Sequence, residues 1–358
     1  MKEHAQNKNR LRLVAWEVTR KCNLNCVHCR AAAGRGQCQG ELDTDGCLRI
    51  LDQIEEVGKP IVILTGGEPL LRDDVFELAR YGTAKGLRMV MATNGTLITE
   101  EITEKMRLSG IQRVSISLDG ANQEQHDRFR KVPGAFQGAM DGINLLKKGR
   151  IEFQINTTIT KHNVGQAEDI LRLVVQLCAA AHHIFLLVPT GRARDMIDQE
   201  IDASEYERLL HWFCSMRRRV PIHLKATCAP HYYRVLREEA HKRGEKVDYA
   251  TYGLDALTRG CLGGTSFCFV SHVGIIQPCG YLEVNCGDLN KSSFRDIWDN
   301  SDVFRSLRDF SAYKGKCGRC EYLQFCGGCR ARAYEASGDF LEEEPLCMYQ
   351  PAKRRTYG

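Results

Sequence analysis

Short apolar runs alternate with longer amphipathic stretches through residues 1–200. An apolar run bounded by turn residues is typical of a buried strand, whereas apolar residues repeated every three or four positions are typical of a helix. Asp43 or Thr44 stands where the first helical stretch needs an N-cap. The pattern predicts six strands, with helices between them, at residues 13–19, 60–66, 88–94, 113–120, 152–160 and 183–191.

Six strand–helix units predict a parallel sheet with right-handed crossovers. They are too many for one half of a dinucleotide-binding fold and too few for a closed eight-fold barrel. We therefore predict an α/β fold, a partial (β/α)6 barrel over residues 1–200. Residues 201–258 are charged and patterned like helices, so we predict a helical bridge. Residues 259–358 are dense in glycine and cysteine, which indicates a small domain organised by metal.

Composition narrows the class of protein. The chain has 358 residues, is 43% hydrophobic and carries a net charge of +5, which suits an anionic substrate but is too weak and scattered to indicate nucleic acid. The N-terminus is charged and no apolar run is long enough to span a bilayer, so we predict a cytoplasmic protein without a membrane partner. In a reducing compartment, clusters among seventeen cysteines indicate metal rather than disulfides.

Motifs of polar and small residues stand where the predicted strands end. They are "GGEP" (66–69), "TNGT" (93–96), "SLDG" (117–120) and "PTGRAR" (189–194). The C-terminal ends of parallel barrel strands converge on one mouth, where active sites form. We therefore expect these motifs to face one another there.

The first strand is followed by "KCNLNCVHCR" (21–30), in which Cys22, Cys26 and Cys29 form a C-x3-C-x2-C run. A 4Fe–4S cluster takes one thiolate per iron, so three cysteines would leave one iron open to a small molecule. The alternative is a zinc site that His28 completes. Three thiolates favour a catalytic centre with a vacant position.

This cysteine run after the first strand, followed by "GGEP", resembles the radical S-adenosylmethionine (SAM) superfamily. The resemblance implies a 4Fe–4S cluster held by Cys22, Cys26 and Cys29, whose open iron binds the amino and carboxylate groups of SAM. Reductive cleavage of SAM would then give a 5′-deoxyadenosyl radical that abstracts hydrogen from the substrate. A low-potential electron donor such as ferredoxin or flavodoxin is implied as a partner.

The resemblance also implies which residues contact SAM. Gly66 and Gly67 would let the backbone approach the methionine of SAM, Glu68 would face its amino group, and Arg192 would bind its carboxylate. His28, the ring before the third cysteine, would stack on the adenine. The ribose would be bound by polar residues at the strand ends, namely Asn94, Ser117, Asp119 and Asn156 (or Thr158).

The C-terminal cysteines resemble the SPASM extension, which carries auxiliary 4Fe–4S clusters. The array that begins at Cys317 ends in C-x2-C, whereas the usual array ends in C-x3-C, and two zinc-ribbon sites are the alternative. Two auxiliary clusters, and three clusters in all, are implied. Carried over by order, one would be held by Cys261, Cys268, Cys279 and Cys329, and the other by Cys317, Cys320, Cys326 and Cys347.

The remaining cysteines are not expected to bind metal. Cys286 is left over from the SPASM pattern, and Cys47 and Cys178 lie in apolar helical patterns, so we assign the latter two to the core. Cys38 follows a loop near the first cluster and its role is left open. Cys214 and Cys228 receive no role.

The residues "HCRAAA" (28–33) resemble the heme synthases of the siroheme-dependent pathway. This implies oxidative decarboxylation of two propionates of iron-coproporphyrin III to vinyl groups, giving heme b. Arg30 and Arg194 are candidates to bind substrate carboxylates. Only twelve residues precede the first strand, so the N-terminal recognition domain of many peptide maturases is expected to be absent. A maturase of a peptide or protein, a heme d1 pathway enzyme and a structural zinc module stay as alternatives.

Overall fold

The computed structural model describes residues 10–36 and 38–352, and within them ten strands form one sheet. Along the sheet the order is β10-β9-β8-β1-β2-β3-β4-β5-β6-β7. Strands β1 to β8 run parallel, and the short β9 and β10 complete one edge in antiparallel fashion. The strands are β1 (Leu13–Thr19), β2 (Ile61–Gly66), β3 (Arg88–Thr93), β4 (Val114–Ser117), β5 (Phe153–Ile159), β6 (Ala181–Leu186), β7 (His223–Thr227), β8 (Phe267–Val270), β9 (Ile275–Gln277) and β10 (Gly287–Asp288).

The six predicted strands are confirmed as β1 to β6, and the α/β class with a mostly parallel sheet is confirmed with them. Two strands end earlier than predicted: β4 covers Val114–Ser117, and β6 covers Ala181–Leu186 and ends before Pro189. Proline lacks the N–H that an interior strand must donate, so the chain leaves the sheet before it.

Helices cover one face of the sheet. Asp43 caps the first of them by accepting from the Gly46 N–H at 2.8 Å, and Cys47 on the same helix is buried in the main core as expected. The helices are α1 (Thr44–Val57), α2 (Val75–Ala84), α3 (Glu100–Leu108), α4 (Gln123–Arg130), α5 (Ala135–Lys148), α6 (Ala167–Gln176), α7 (Ala203–Met216), α8 (Tyr232–Lys242), α9 (Tyr249–Tyr252), α10 (Leu254–Leu257), α11 (Phe294–Asn300), α12 (Asp302–Arg308), α13 (Gly315–Gly318) and α14 (Arg330–Ser337).

The assignment of Cys178 to the core is wrong, because this residue is exposed. Helix α6 ends at Gln176, and Cys178 lies in the turn beyond it with a φ of +58°. The apolar residues on both sides of this turn continue the helical pattern, so the sequence predicted helix at Cys178.

The sheet extends beyond the six predicted units at both ends. β7 lies inside residues 201–258, between α7 and α8, and pairs in parallel with β6. β8, from the cysteine-rich segment, pairs in parallel with β1, with Leu13 opposite Phe267. A purely helical bridge is therefore wrong, because "HLKAT" is short and basic and gives a weak strand signal. The division of the chain at residues 200 and 258 stays a prediction.

Side chains alternate between the two faces of each strand. Ile155 and Leu224, on the helix-covered face, are buried, whereas the opposite face is open to solvent. That open face carries a row of residues that the strand register places side by side across β4, β5, β6 and β7. The row consists of Ser117, Asn156, His183 and Lys225, all of them partly exposed.

Within the described residues, no helix has the length and apolar character needed to cross a membrane.

Candidate iron–sulfur and SAM site

Cys22, Cys26 and Cys29 lie in the loop after β1, and each sulfur receives an N–H donor. The backbone N–H of Leu24 points at the Cys22 sulfur at 3.4 Å, and that of Ala33 at the Cys29 sulfur at 3.4 Å. The Cys26 sulfur receives a guanidinium N–H at 3.5 Å. Hydrogen bonds of this kind stabilise thiolates that ligate metal, so the donor set fits an iron–sulfur cluster.

Cys22 and Cys26 are protonated thiols when no metal holds them. Burial raises the pKa of Cys22 to about 11, and burial also raises the pKa of Cys26 against the opposing effect of Arg130. Because metal ligation requires thiolates, binding of a cluster would release these protons.

The guanidinium that contacts Cys26 belongs to Arg130, at the end of α4. It also pairs with the carboxylate of Asp119, which is buried like Arg130 itself. Burial opposes the charge of Arg130, but Asp119 and Cys26 raise its pKa, so the arginine stays cationic beside the sulfur. Arg130 was missed in the sequence, because on an amphipathic helix it resembles any surface arginine.

Arg192, the predicted carboxylate partner, is tied to the cysteine loop. Its Nε donates to the Cys26 carbonyl at 2.9 Å and its Nη1 to the Ala33 carbonyl at 2.7 Å. The structure thus gives Arg192 a positioning role for the loop. Contact with the SAM carboxylate stays a prediction.

Gly66 and Gly67 lie against the same loop. A Cβ at Gly66 would collide with the Thr19 carbonyl, and a Cβ at Gly67 with the Lys21 carbonyl. The Gly67 N–H donates to Thr19 at 2.8 Å. Close approach of two backbones therefore requires both glycines, whether or not the methionine also approaches them.

Glu68 is fully buried at the end of β2. Its carboxylate accepts from the Thr93 hydroxyl at 2.7 Å and from the backbone N–H groups of Asn94 and Leu70 at 2.8 and 3.1 Å. Burial nevertheless raises the pKa of Glu68 to about 7. A cationic or N–H-donating group beside this carboxylate would favour its ionised form.

Asn94 also reaches the cysteine loop, since its side-chain NH2 donates to the side-chain Oδ1 of Asn23 at 2.8 Å. His28 stacks on Phe129 with ring centroids 4.2 Å apart, and burial holds its pKa well below the usual value. Neutral His28 presents an aromatic surface near Asp119, with its Nε2 3.7 Å from the carboxylate. Stacking on adenine stays a prediction.

The other predicted SAM contacts lie on neighbouring strands. Ser117 and Asn156 pair across β4 and β5 on the open face, and Asn156 accepts from Gln154 at 3.0 Å. The open-face row continues to His183 and Lys225, which were not predicted. Alternation within "AHHIFL" and "HLKAT" is the sequence signal that would have placed them there.

Arg30 is not free to bind a substrate carboxylate. It is paired with buried Glu17 at 2.9 Å, and its guanidinium carbon lies 4.5 Å from the centre of the Phe269 ring. Arg194 pairs with Glu335 at 3.3 Å, but its side chain is 55% exposed. Of the two predicted candidates, Arg194 is the more available.

In the C-terminal segment, four predicted ligands surround one pocket. Arg330 donates to one of their sulfurs, that of Cys317, at 3.5 Å. These four ligands are Cys317, Cys320, Cys326 and Cys347.

The other predicted group comes together only in part. Cys279 and Cys329 belong to one contact cluster, and the charges of Cys261 and Cys329 raise the pKa of Cys279 beyond the effect of burial. Cys268 does not fit this group. It is completely buried in the main core beneath the helices, where its neighbouring thiol is Cys286.

The sulfurs are spaced too widely for mononuclear zinc. Among the described residues, the three-member groups of potential ligand atoms within 4.8 Å of one another include no cysteine. A tetrahedral zinc with bonds of about 2.3 Å holds its sulfurs only about 3.8 Å apart. The spacing therefore does not favour the two zinc-ribbon sites.

A buried ion pair joins the cysteine-rich segment to the barrel. Arg332 binds Glu344 at 3.0 Å, Glu200 at 3.0 Å and the carbonyls of Leu187 and Cys228 at 2.9 and 3.1 Å. Glu344 in turn accepts from the Cys329 N–H at 2.7 Å. The ends of β6 and β7 are thereby held against the segment that carries Cys329.

Comparison with known proteins agrees with this geometry. The model of the radical SAM superfamily matches residues 16–174, and that of an iron–sulfur cluster-binding domain, SPASM, matches residues 261–329. The chain is 55% identical over 346 residues to the AdoMet-dependent heme synthase of Methanosarcina barkeri, covering 97% of this chain and 99% of that protein. The chain belongs to the radical SAM superfamily.

Other relatives define its place in the superfamily. The AdoMet-dependent heme synthase of Nitratidesulfovibrio vulgaris is 54% identical, with 96% of this chain and 93% of that protein covered. The mycofactocin maturase MftC of Mycolicibacterium smegmatis is 31% identical, with 94% and 82% covered. The crystal structure of Streptococcus suis SuiB bound to S-adenosylmethionine has a TM-score of 0.76 at 18% identity, over 97% of this radical SAM protein and 80% of SuiB. This last likeness shows a shared fold.

Proposed function

We propose that this radical SAM protein is a heme synthase that converts two propionates of iron-coproporphyrin III to vinyl groups, giving heme b. One observation carries the proposal: relatives named as heme synthases share 54–55% identity over 96–97% of the chain, whereas a mycofactocin maturase shares 31%. The resemblance of "HCRAAA" to those enzymes supports the same conclusion.

The residues around the cysteine loop have separable roles in this function. Cys22, Cys26 and Cys29 would hold the cluster, which with bound SAM supplies a 5′-deoxyadenosyl radical. Arg130 and Arg192 fix the loop and place positive charge beside it. Glu68, Asn94, Ser117, Asp119, Asn156 and His28, with the backbone of Gly66 and Gly67, are proposed to surround SAM at the ends of the strands.

The propionates of the substrate are negatively charged, so cationic side chains that face the interior of the barrel are needed to bind them. Each reacting propionate loses a hydrogen atom, carbon dioxide and one electron, while the other two keep their negative charge. Lys225 is partly exposed on the open face of β7, and within the described residues its ammonium makes no hydrogen bond or close ion pair. Burial lowers the pKa of Lys225, which the charge of Asp255 partly opposes, so a substrate carboxylate beside it would favour the ammonium form. His183 lies beside it in the strand register. We assign Lys225 to a substrate carboxylate, with His183 as a further hydrogen-bonding group.

The electron that leaves each propionate needs an acceptor. We propose two auxiliary 4Fe–4S clusters in the cysteine-rich segment, and hence three clusters in all, because two groups of cysteines converge there at spacings wider than zinc requires. We further propose that ferredoxin or flavodoxin supplies the low-potential electron that SAM cleavage needs, and that the protein works in the cytoplasm.

The test is anaerobic turnover of the reconstituted holoprotein. Reduced protein is incubated with SAM and iron-coproporphyrin III, and the products are identified by mass spectrometry. We expect 5′-deoxyadenosine together with mono- and divinyl products. If 5′-deoxyadenosine forms but the four propionates stay intact, the tetrapyrrole proposal fails while the radical SAM assignment stands.

A further inference from the structure

One auxiliary cluster has a fourth ligand whose predicted position disagrees with the structure. Cys261, Cys279 and Cys329 supply three thiols, and the pattern nominates Cys268 as the fourth. Strand β8 places that residue elsewhere. Phe269 faces Arg30, so strand alternation turns its neighbour Cys268 to the opposite side of the sheet. There Cys268 is 0% exposed in the apolar core, and the thiol beside it is that of Cys286, not one of the other three.

A cysteine from the barrel, rather than Cys268, lies beside the other three thiols. Cys228 follows β7 directly and packs in the same contact cluster as Cys279 and Cys329. Cys261 lies beside the same segment, since its backbone N–H donates to the Cys326 carbonyl at 3.0 Å, three residues before Cys329. Four cysteines from three separate parts of the chain thus lie in one region.

The backbone of Cys228 is held in place for such a role. Its φ is +54°, a left-handed conformation that costs energy for a residue with a side chain. Its carbonyl accepts from Arg332 at 3.1 Å and from the Tyr206 hydroxyl at 3.4 Å. Arg332 stands three residues after Cys329 and also binds Glu344, which accepts from the Cys329 N–H. One buried network thus fixes Cys228 relative to Cys329.

We propose that Cys228 is the fourth ligand of the auxiliary cluster held by Cys261, Cys279 and Cys329, and that Cys268 is a core residue. This ligand lies outside residues 261–329, which match the SPASM model. One thiolate per iron then closes the cluster, so it has no open iron for substrate. The residue that directly follows β7 of the barrel then ligates the auxiliary cluster. The inference rests on the proposed auxiliary clusters but not on the tetrapyrrole substrate.

The experiment compares three variants of the full-length, anaerobically reconstituted protein: Cys228→Ala, Cys228→Ser and Cys268→Ala. Iron and acid-labile sulfide are counted per chain, and low-temperature EPR spectra are recorded for reduced and for mildly oxidised samples. Far-UV circular dichroism and SAM binding check that each variant is folded. No porphyrin is present, so the result is independent of the substrate proposal.

We expect Cys228→Ala to lose up to one cluster of iron, or to give a three-iron EPR signal after oxidation, because one iron loses its thiolate. Cys228→Ser keeps an oxygen ligand and should shift the EPR spectrum of one cluster while retaining the iron. Cys268→Ala should match the wild type in iron content and in spectrum. The proposal is overturned if the Cys228 variants keep wild-type iron and spectra, or if Cys268→Ala loses a cluster.

Discussion

Arg332 allows a quantitative test of how the cysteine-rich segment is fastened to the barrel. The side chain is 1% exposed, and Glu344, its main partner, is 0% exposed. Burial opposes the charge of Glu344, but Arg332 holds its pKa below the usual value. Removing one member of a buried pair leaves an uncompensated charge and costs about 3–5 kcal/mol. Arg332→Met should destabilise the protein by this amount.

The expected change in melting temperature follows from the size of the chain. Unfolding entropy of roughly 2.1 cal/mol/K per residue gives about 0.75 kcal/mol/K for 358 residues, so the loss corresponds to roughly 4–7 °C. Melting of the anaerobic holoprotein is followed by far-UV circular dichroism. The matched control is Arg194→Met, whose ion pair with Glu335 is half-exposed and is worth at most about 1 kcal/mol.

A double variant separates the buried charge from other effects of the substitution. Arg332→Met combined with Glu344→Leu removes the two most deeply buried charges, and an apolar pair of this kind is often as stable as the ion pair it replaces. We expect it to regain only part of the lost melting temperature, because Glu200 and the Cys329 N–H still lose their partners. The reasoning is refuted if Arg332→Met melts no lower than Arg194→Met, or if the double variant melts lower than Arg332→Met.

Three further predictions concern the site. Cys29→Ala should lose about four iron atoms per chain and all formation of 5′-deoxyadenosine, whereas Cys178→Ala, at an exposed cysteine, should change neither, as measured by iron analysis and chromatography. Burial raises the pKa of Glu68 to about 7, so its carboxylate ionises as the pH rises through that value, and SAM affinity measured by calorimetry should increase from about pH 6 to pH 8. Glu68→Gln should weaken SAM binding and flatten this increase. An equal increase in both proteins would contradict the assignment. Lys225→Met should weaken binding of iron-coproporphyrin III about 10- to 100-fold in absorbance titrations while SAM binding is kept, and Lys291→Met, at a 79% exposed lysine, should have no effect.

The sequence was informative wherever local pattern and spacing were strong. β1, β2 and β3 are apolar runs bounded by turn residues, and the Cys22–Cys29 loop is defined by spacing alone, so these features were predictable. β7 was not, because "HLKAT" is short and its inner-face residues are polar. The turn at Cys178 was read as helix for the complementary reason, since its apolar flanks continue the helical pattern.

Contacts between distant residues are what the sequence could not reveal. Arg130 lies 104 positions from Cys26, and Arg332 lies 104 positions from Cys228. Assigning ligands by the order of cysteines leaves out Cys228, the fourth ligand that we propose, because this residue belongs to a different part of the chain from the SPASM pattern. Strand alternation in β8 would have placed Cys268 in the core only once the pairing of β8 with β1 was known.

Each cysteine group has one buried arginine beside it, and this shared arrangement bears on what the groups hold. Arg130 contacts Cys26, Arg330 contacts Cys317, and Arg332 lies close to Cys329. All three are at most 7% exposed, where an arginine charge is costly unless negative charge lies nearby. Arg130 and Arg332 pair with the carboxylates of Asp119 and Glu344, whereas Arg330 makes no ion pair in the described part of the chain. Apart from Cys317, its guanidinium contacts carbonyl oxygens and the ring of Tyr313. A cluster ligated by thiolates carries net negative charge, so at Cys317 it would give Arg330 the counter-charge that its other contacts do not supply.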